Sequence, residues 1–327
     1  MFSARPLPKN FLLLSLAVLV AVLNNNLSGL SSSFAAEDLV LKENAEALQF
    51  SVNEGSWVSV SLLPDGESFI FDLLGDIYHL NIDGGIAEPI TAGMGFDSQP
   101  VVSPNGEKIA FISDRDGKDN LWIANVDGSD PLKLSNETYA YLISPTWSPD
   151  GQNIIVTKRT REIELVQYHI EGGTGVVITQ HDEGDATKKS PGVGAAFSPD
   201  GKYIYFAERL GGPDAPTDEF PVTQIVRLDL NSGARIQITR GEGGGVRPVV
   251  SPDGQWLVYG TRFETNTGLR VRNLNSGEDQ WLTYPIQRDS QENFRPSSRG
   301  MLPGYAFTPA SEAIVLSTDG QFYQIRL

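Results

Sequence analysis

Cysteine is absent from the 327 residues, so no disulfide, thiolate metal site or thiol nucleophile is available to this chain. Histidine is nearly absent as well: His79, His169 and His181 are the only three, too few for the His-rich ligand sets of metal-dependent hydrolases. No apolar run reaches the roughly 20 residues needed to cross a bilayer as a helix; the longest, 11–23, is too short and argues against a stable membrane anchor. Basic residues are also in deficit, and the formal net charge of −16 repels phosphate backbones and anionic lipid, which excludes nucleic acid as an expected partner. No segment of ten or more residues beyond the N-terminus keeps a 3.6-residue apolar period, so the chain reads as all-β.

The N-terminus stands apart. Arg5 and Lys9 precede the apolar run, and Ser33-Phe34-Ala35 offers small residues where a signal peptidase cuts. We expect an export signal over 1–35, a short linker over 36–46 and a single domain over 47–327, with a periplasmic or secreted location.

What the chain has in abundance is one turn. Leu63-Pro64-Asp65-Gly66 returns as Ser103-Pro104-Asn105-Gly106, Ser148-Pro149-Asp150-Gly151, Ser198-Pro199-Asp200-Gly201 and Ser251-Pro252-Asp253-Gly254, and in worn form as Thr308-Pro309-Ala310-Ser311. Proline presets φ at the first turn position, and Asp or Asn followed by Gly accepts the left-handed geometry that comes next. Repeats spaced 40 to 57 residues apart, each with three further apolar segments separated by Gly-rich turns, predict four-stranded antiparallel propeller blades. Six copies predict a six-bladed β-propeller. The last copy has only three strands before Leu327, and the alternating segment 47–52 is the expected fourth, an N-terminal strand completing the last blade and closing the ring.

Strand order places the tight Pro-Asp-Gly and Gly-Gly turns at one end of such a ring. The length variation, in 181–193, 208–222, 240–246, 261–268 and 284–303, falls at the other, which makes that end the candidate binding face. Candidate partner-binding residues there are Asp97, Arg247 and Arg295 at the starts of innermost strands, Arg288, Asp289 and Glu292 in the longest loop, and the cluster His181, Asp182 and Asp185. Ordinary ion pairing is the competing explanation for the channel charges, and a solvated loop for the His181 cluster. The 114–119 segment is acidic but lacks the ligand order of a calcium loop. No nucleophile elbow, paired metal-binding histidines or phosphate loop occurs, so no catalytic residue, metal or cofactor is expected.

The string from Ser103 to Gly117, followed by Asn120-Leu121-Trp122, resembles the repeat of TolB-type propellers. Glu54-Gly55-Ser56-Trp57, Phe96-Asp97-Ser98-Gln99-Pro100, Glu171-Gly172-Gly173-Thr174-Gly175 and Leu302-Pro303-Gly304-Tyr305 are similar to the propeller half of bacterial TolB-like amidohydrolases. That resemblance implies an exported six-bladed propeller; with long loops at one end and no catalytic residue, a non-catalytic module that binds a protein or peptide partner is the expected role. It also leaves room for a separately encoded amidohydrolase domain, since enzymes of that type carry a metal-binding barrel after the propeller.

Overall fold

The computed structural model describes residues 4–6, 50–160, 163–179, 192–209, 223–286 and 300–327. They form six four-stranded antiparallel sheets. The first comprises β2 (Val60–Leu62), β3 (Ser68–Leu73), β4 (Asp76–Asn81) and β5 (Glu88–Pro89), and the second β6 (Asp97–Val102), β7 (Lys108–Ser113), β8 (Asn120–Asn125) and β9 (Leu132–Lys133). The third holds β10 (Tyr141–Trp147), β11 (Asn153–Arg159), β12 (Ile163–His169) and β13 (Val176–Val177). The fourth holds β14 (Gly192–Phe197), β15 (Tyr203–Glu208), β16 (Gln224–Asp229) and β17 (Arg235–Gln237). The fifth holds β18 (Val246–Val250), β19 (Trp256–Phe263), β20 (Asn266–Asn273) and β21 (Asp279–Thr283). The sixth is β22 (Ala306–Phe307), β23 (Ala313–Thr318) and β24 (Gln321–Arg326), with β1 (Ala4–Pro6) on its outer edge. This is the expected six-bladed β-propeller.

Second strands such as β3 and β7 are buried over almost their whole length. Each lies between two neighbouring blades, so it carries an apolar run rather than an alternation. Outer strands shrink to two or three residues in five of the six blades, because the perimeter of the ring has little to pack against. The repeated turn is a closed hydrogen-bond unit. In the fourth blade the Gly201 N–H donates to the Ser198 carbonyl at 2.9 Å, the Ser198 hydroxyl donates to Asp200 at 2.6 Å, and Ser198 Oγ accepts the Tyr203 N–H at 3.0 Å. The worn sixth copy keeps the backbone geometry: Ser311 takes φ 61° where the other copies place glycine, and its N–H donates to the Thr308 carbonyl at 2.8 Å.

The last blade differs from expectation. Its outer edge is paired by Ala4–Pro6, in the register Ala4 to Ile325, Arg5 to Gln324 and Pro6 to Tyr323, within the segment read as an export signal. Of the expected strand over 47–52, residues 47–49 lie outside the described residues and 50–52 belong to no strand. The reason is local. The Gly55 N–H donates to the Gly320 carbonyl at 3.2 Å and Gln321 Nε2 donates to the Asn53 carbonyl at 3.1 Å, which carries this segment across the β23–β24 turn. First and last blades meet through apolar packing, with the Phe322 ring 4.9 Å from Phe69 and 5.0 Å from Phe71.

Candidate functional site

The inner strand of blades two to five slips register at one place, between Ser98 and Val101, Ile143 and Thr146, Val193 and Ala196, and Val246 and Val249. Each slip is a β-bulge, and each holds one left-handed residue: Gln99 (φ 53°), Ser144 (54°), Gly194 (63°) and Arg247 (48°). Such geometry is strained for any residue but glycine. Here it brings the four positions together around the axis of the ring, next to Ser59 of the first blade and Gly304 of the sixth.

Hydrogen bonds join them. The Gly304 N–H donates to Ser59 Oγ at 3.1 Å, and the Ser59 N–H donates to Asp72 Oδ1 at 2.7 Å. Asp72 Oδ2 accepts the Gln99 N–H at 2.8 Å, Gln99 Oε1 accepts the Ser144 N–H at 2.8 Å, and Ser144 Oγ accepts from Arg247 Nη1 at 3.1 Å. The buried Tyr305 hydroxyl, held well above its ordinary pKa by desolvation, donates to the Arg247 carbonyl. Burial draws the Arg247 guanidinium down from its usual value, opposed by Tyr305 and Asp72. Gly194 contributes no side chain to this network; the glycine that crowds Arg247 is Gly304 of the sixth blade, where a Cβ would stand 2.8 Å from Arg247 Nη2.

Asp97 lies beside this ring, buried, with Oδ2 on Arg115 Nη2 at 2.7 Å. The pair lies within the second blade rather than between blades, and Arg115 is further held over the Phe111 and Trp122 rings. Neighbouring Asp76 has its carboxyl pushed up to about 6 by burial, with Asp97 adding to the rise and Arg115 opposing it. Of the other sequence candidates, His181, Asp182, Asp185, Arg288, Asp289, Glu292 and Arg295 lie outside the described residues. The acidic 114–119 hairpin spends its charges locally, Asp116 accepting Lys133 Nζ at 2.7 Å. Among the described residues no three His, Cys, Asp or Glu side chains are placed to hold a metal.

The sequence reading missed Gln99 and Ser144. A signal was present: three of the four bulge residues precede a proline, in Gln99-Pro100, Ser144-Pro145 and Arg247-Pro248, each four residues ahead of the turn proline. A strand tolerates proline where the ladder is interrupted.

Two concavities open at the long-loop end. One, of about 1220 Å³, lies on the outer part of the fifth blade between Arg240, Arg262, Phe263, Arg270 and Trp281. Its Asp279 accepts a hydrogen bond from the Tyr259 hydroxyl at 2.6 Å and pairs with Arg270 and Arg272. The other, of about 220 Å³, lies between the first two blades, against Asp97.

Comparison with known proteins agrees with this geometry. A family model described as TolB beta propeller domain matches residues 39–193. Over 39–193 the chain resembles the TolB β-propeller domain, and the ring as a whole shares that fold. This propeller is 29% identical over 184 residues to the Bacillus subtilis protein named Uncharacterized peptidase YuxL, covering 56% of this chain and 24% of that one. It is 30% identical over 151 residues to Uncharacterized protein Atu1656 of Agrobacterium fabrum, 42% of this chain and 50% of the relative. It therefore spans between a quarter and half the length of these two curated relatives. A solved structure titled as a putative TolB from Agrobacterium tumefaciens superposes with a TM-score of 0.62 at 20% identity, covering 85% of this chain and 91% of the other, a likeness of fold.

Proposed function

We propose that this TolB-like propeller is an exported, non-catalytic module that binds a protein or peptide partner through its long-loop face. The observation that carries the reading is the placement of aromatic side chains. Every exposed aromatic among the described residues belongs to this end: Phe96 and Tyr139 in connections between blades, Tyr141 at the start of β10, Phe263 at a hairpin, Tyr284 in the connection to the sixth blade, and Phe50 in the segment leading to the β23–β24 turn. Exposed aliphatic residues such as Ile86, Val176 and Leu230 lie instead at the tight-turn end or on the perimeter. Aromatic side chains supply large contact area at little rotameric entropy and are enriched at protein interfaces. Export is supported by Arg5 and Lys9 ahead of the apolar run 11–23.

The test is a co-purification with two sets of substitutions. Serine at Tyr139, Tyr141 and Phe263 is expected to abolish capture of the partner held by the parent, and serine at Ile86, Val176 and Leu230 to leave it intact. Equal capture by both sets would overturn the reading. A second reading, the propeller half of a split TolB-like amidohydrolase acting beside a separately encoded catalytic domain, draws on one observation, the match to 24% of a larger protein named as a peptidase. Co-expression with a neighbouring metal-dependent hydrolase frame would test it, by hydrolysis that needs both chains.

A further inference from the structure

The concavity between the first two blades has walls and a floor of different chemistry. Trp57, Leu73, Leu74 and Phe96 make its apolar walls, and Leu74 is 63% exposed at its rim. Asp97 lies at the floor, 2% exposed, with its backbone N–H donating to the Gly75 carbonyl at 2.7 Å. Its Oδ2 is taken by Arg115, but its Oδ1 is buried and has no hydrogen-bond partner. A buried carboxylate oxygen left without a donor is costly, and a ligand that donates to it would satisfy it. The charge balance agrees: Glu54 and Asp72 also line the space, Asp76 stands next to Asp97, and among the described residues Arg115 is the cation whose charge reaches Asp76.

We propose that this pocket is a binding site for a primary ammonium on an unbranched alkyl stem, the side chain of a lysine on the partner. The volume fits. At about 30 Å³ per water-sized group, 220 Å³ holds about seven heavy atoms, and a lysine side chain has about five beyond its Cα. Its methylenes lie along Leu73, Leu74 and Phe96 while the ammonium donates to Asp97 Oδ1, the division between apolar stem and charged tip that long basic side chains favour. The assignment to a partner's lysine rests on the partner-binding reading above; the existence of the ammonium site does not.

The groups facing Asp76 are Asp97 from β6, Arg115 from the β7–β8 hairpin and Tyr78 on its own strand. Above a carboxyl pKa of about 6 Asp76 is ionised and reinforces Asp97, whereas the ammonium stays charged throughout. Affinity therefore tightens as pH rises.

The probe is n-pentylamine, titrated against the full chain with 1-pentanol as the neutral isostere, and read by amide chemical shifts at Gly75 and Asp97. Saturable shifts confined to these residues, absent with pentanol and strengthening by about tenfold from about pH 5 to about pH 7.5, are expected. Asp76→Asn, which leaves the Asp97–Arg115 pair in place, is expected to remove the pH dependence of binding, with an unchanged far-UV circular dichroism spectrum showing that the variant is folded. Shifts that are absent, scattered over the acidic surface or shared with pentanol overturn the site. If the amine binds as described but capture of the partner is equal for parent and Asp76→Asn, the site stands and its assignment to the partner's lysine falls. The aromatic substitutions test the long-loop face independently of either result.

Discussion

Arg247 reaches past an entire blade to find its hydrogen-bond acceptor. Its Nη1 lies 3.1 Å from Ser144 Oγ, joining the fifth blade to the third. Loss of one charged hydrogen bond costs about 1.5–3 kcal/mol when the other partner is left buried. Arg247→Ala and Ser144→Ala are each expected to lower stability by about 1–2 kcal/mol, and the double variant to lose less than the sum by at least about 0.5 kcal/mol. Urea unfolding of all four proteins measures this. Strict additivity would mean that the contact contributes nothing.

Asp72 holds the backbone of two blades at once, through Ser59 and Gln99. An amide in its place offers one oxygen and turns an N–H₂ toward a backbone donor. Asp72→Asn is expected to destabilise by about 2–4 kcal/mol, and Asp72→Ala by a similar amount, because both leave a buried N–H unsatisfied. A loss below about 1 kcal/mol in urea denaturation would show that the bulge at Gln99 relaxes onto another acceptor.

Two carboxyls set opposite pH dependences. Asp76, raised to about 6, keeps its proton in the folded state where the unfolded chain has already lost it, so its contribution to stability falls as pH rises from about 4 through about 6. After allowance for solvent screening the effect is on the order of 1 kcal/mol. Asp200, lowered to about 2 by the Ser198 hydroxyl and the Lys202 N–H, acts in the other sense, and its contribution is lost as pH falls from about 4 through about 2. Thermal melts across this range should show Asp76→Asn flattening the upper limb and Asp200→Asn the lower.

Ser311 occupies the left-handed position that glycine holds in the other five turns, and its Oγ accepts the Asp253 N–H at 3.1 Å. Ser311→Gly relieves about 1 kcal/mol of backbone strain and forfeits a bond of about the same size, so near-neutrality is expected. Ser311→Ala keeps the strain and loses the bond, for a loss of about 1 kcal/mol. Midpoints of chemical unfolding distinguish the two, and equal effects would discount the bond.

Closure between the first and last blades depends on Phe322 against Phe69 and Phe71. Phe322→Ala is expected to lower stability by about 2–4 kcal/mol, with hydrogen exchange accelerated first in β3 and β24. Uniform acceleration over all six blades would show that opening does not begin there.

The fold was legible because the Ser-Pro-Asp-Gly turn is chemically self-contained: serine, proline, aspartate and glycine each act within five residues of chain, so the motif can be read without its neighbours. The closing strand was not. Segment 47–52 has the alternation of a strand, whereas Ala4–Pro6 is three residues long and contains a proline, which no local pattern recommends. Of the channel, Asp97 and Arg247 were visible as charges at strand starts. Gln99, Ser144 and Gly194 were not, because what they share is a backbone conformation, and three unlike side chains conceal it. The blade-one pocket joins residues from the approach to β2, the β3–β4 hairpin and the start of β6, a grouping that only the closed ring creates.

Gly194 has one more implication. Six inner positions furnished alike would let a guest sit at any of six rotations about the axis. With a bare glycine at one of them and a guanidinium bending from another toward a third, the rotations become inequivalent, and a molecule entering along the axis is keyed to a single angular setting.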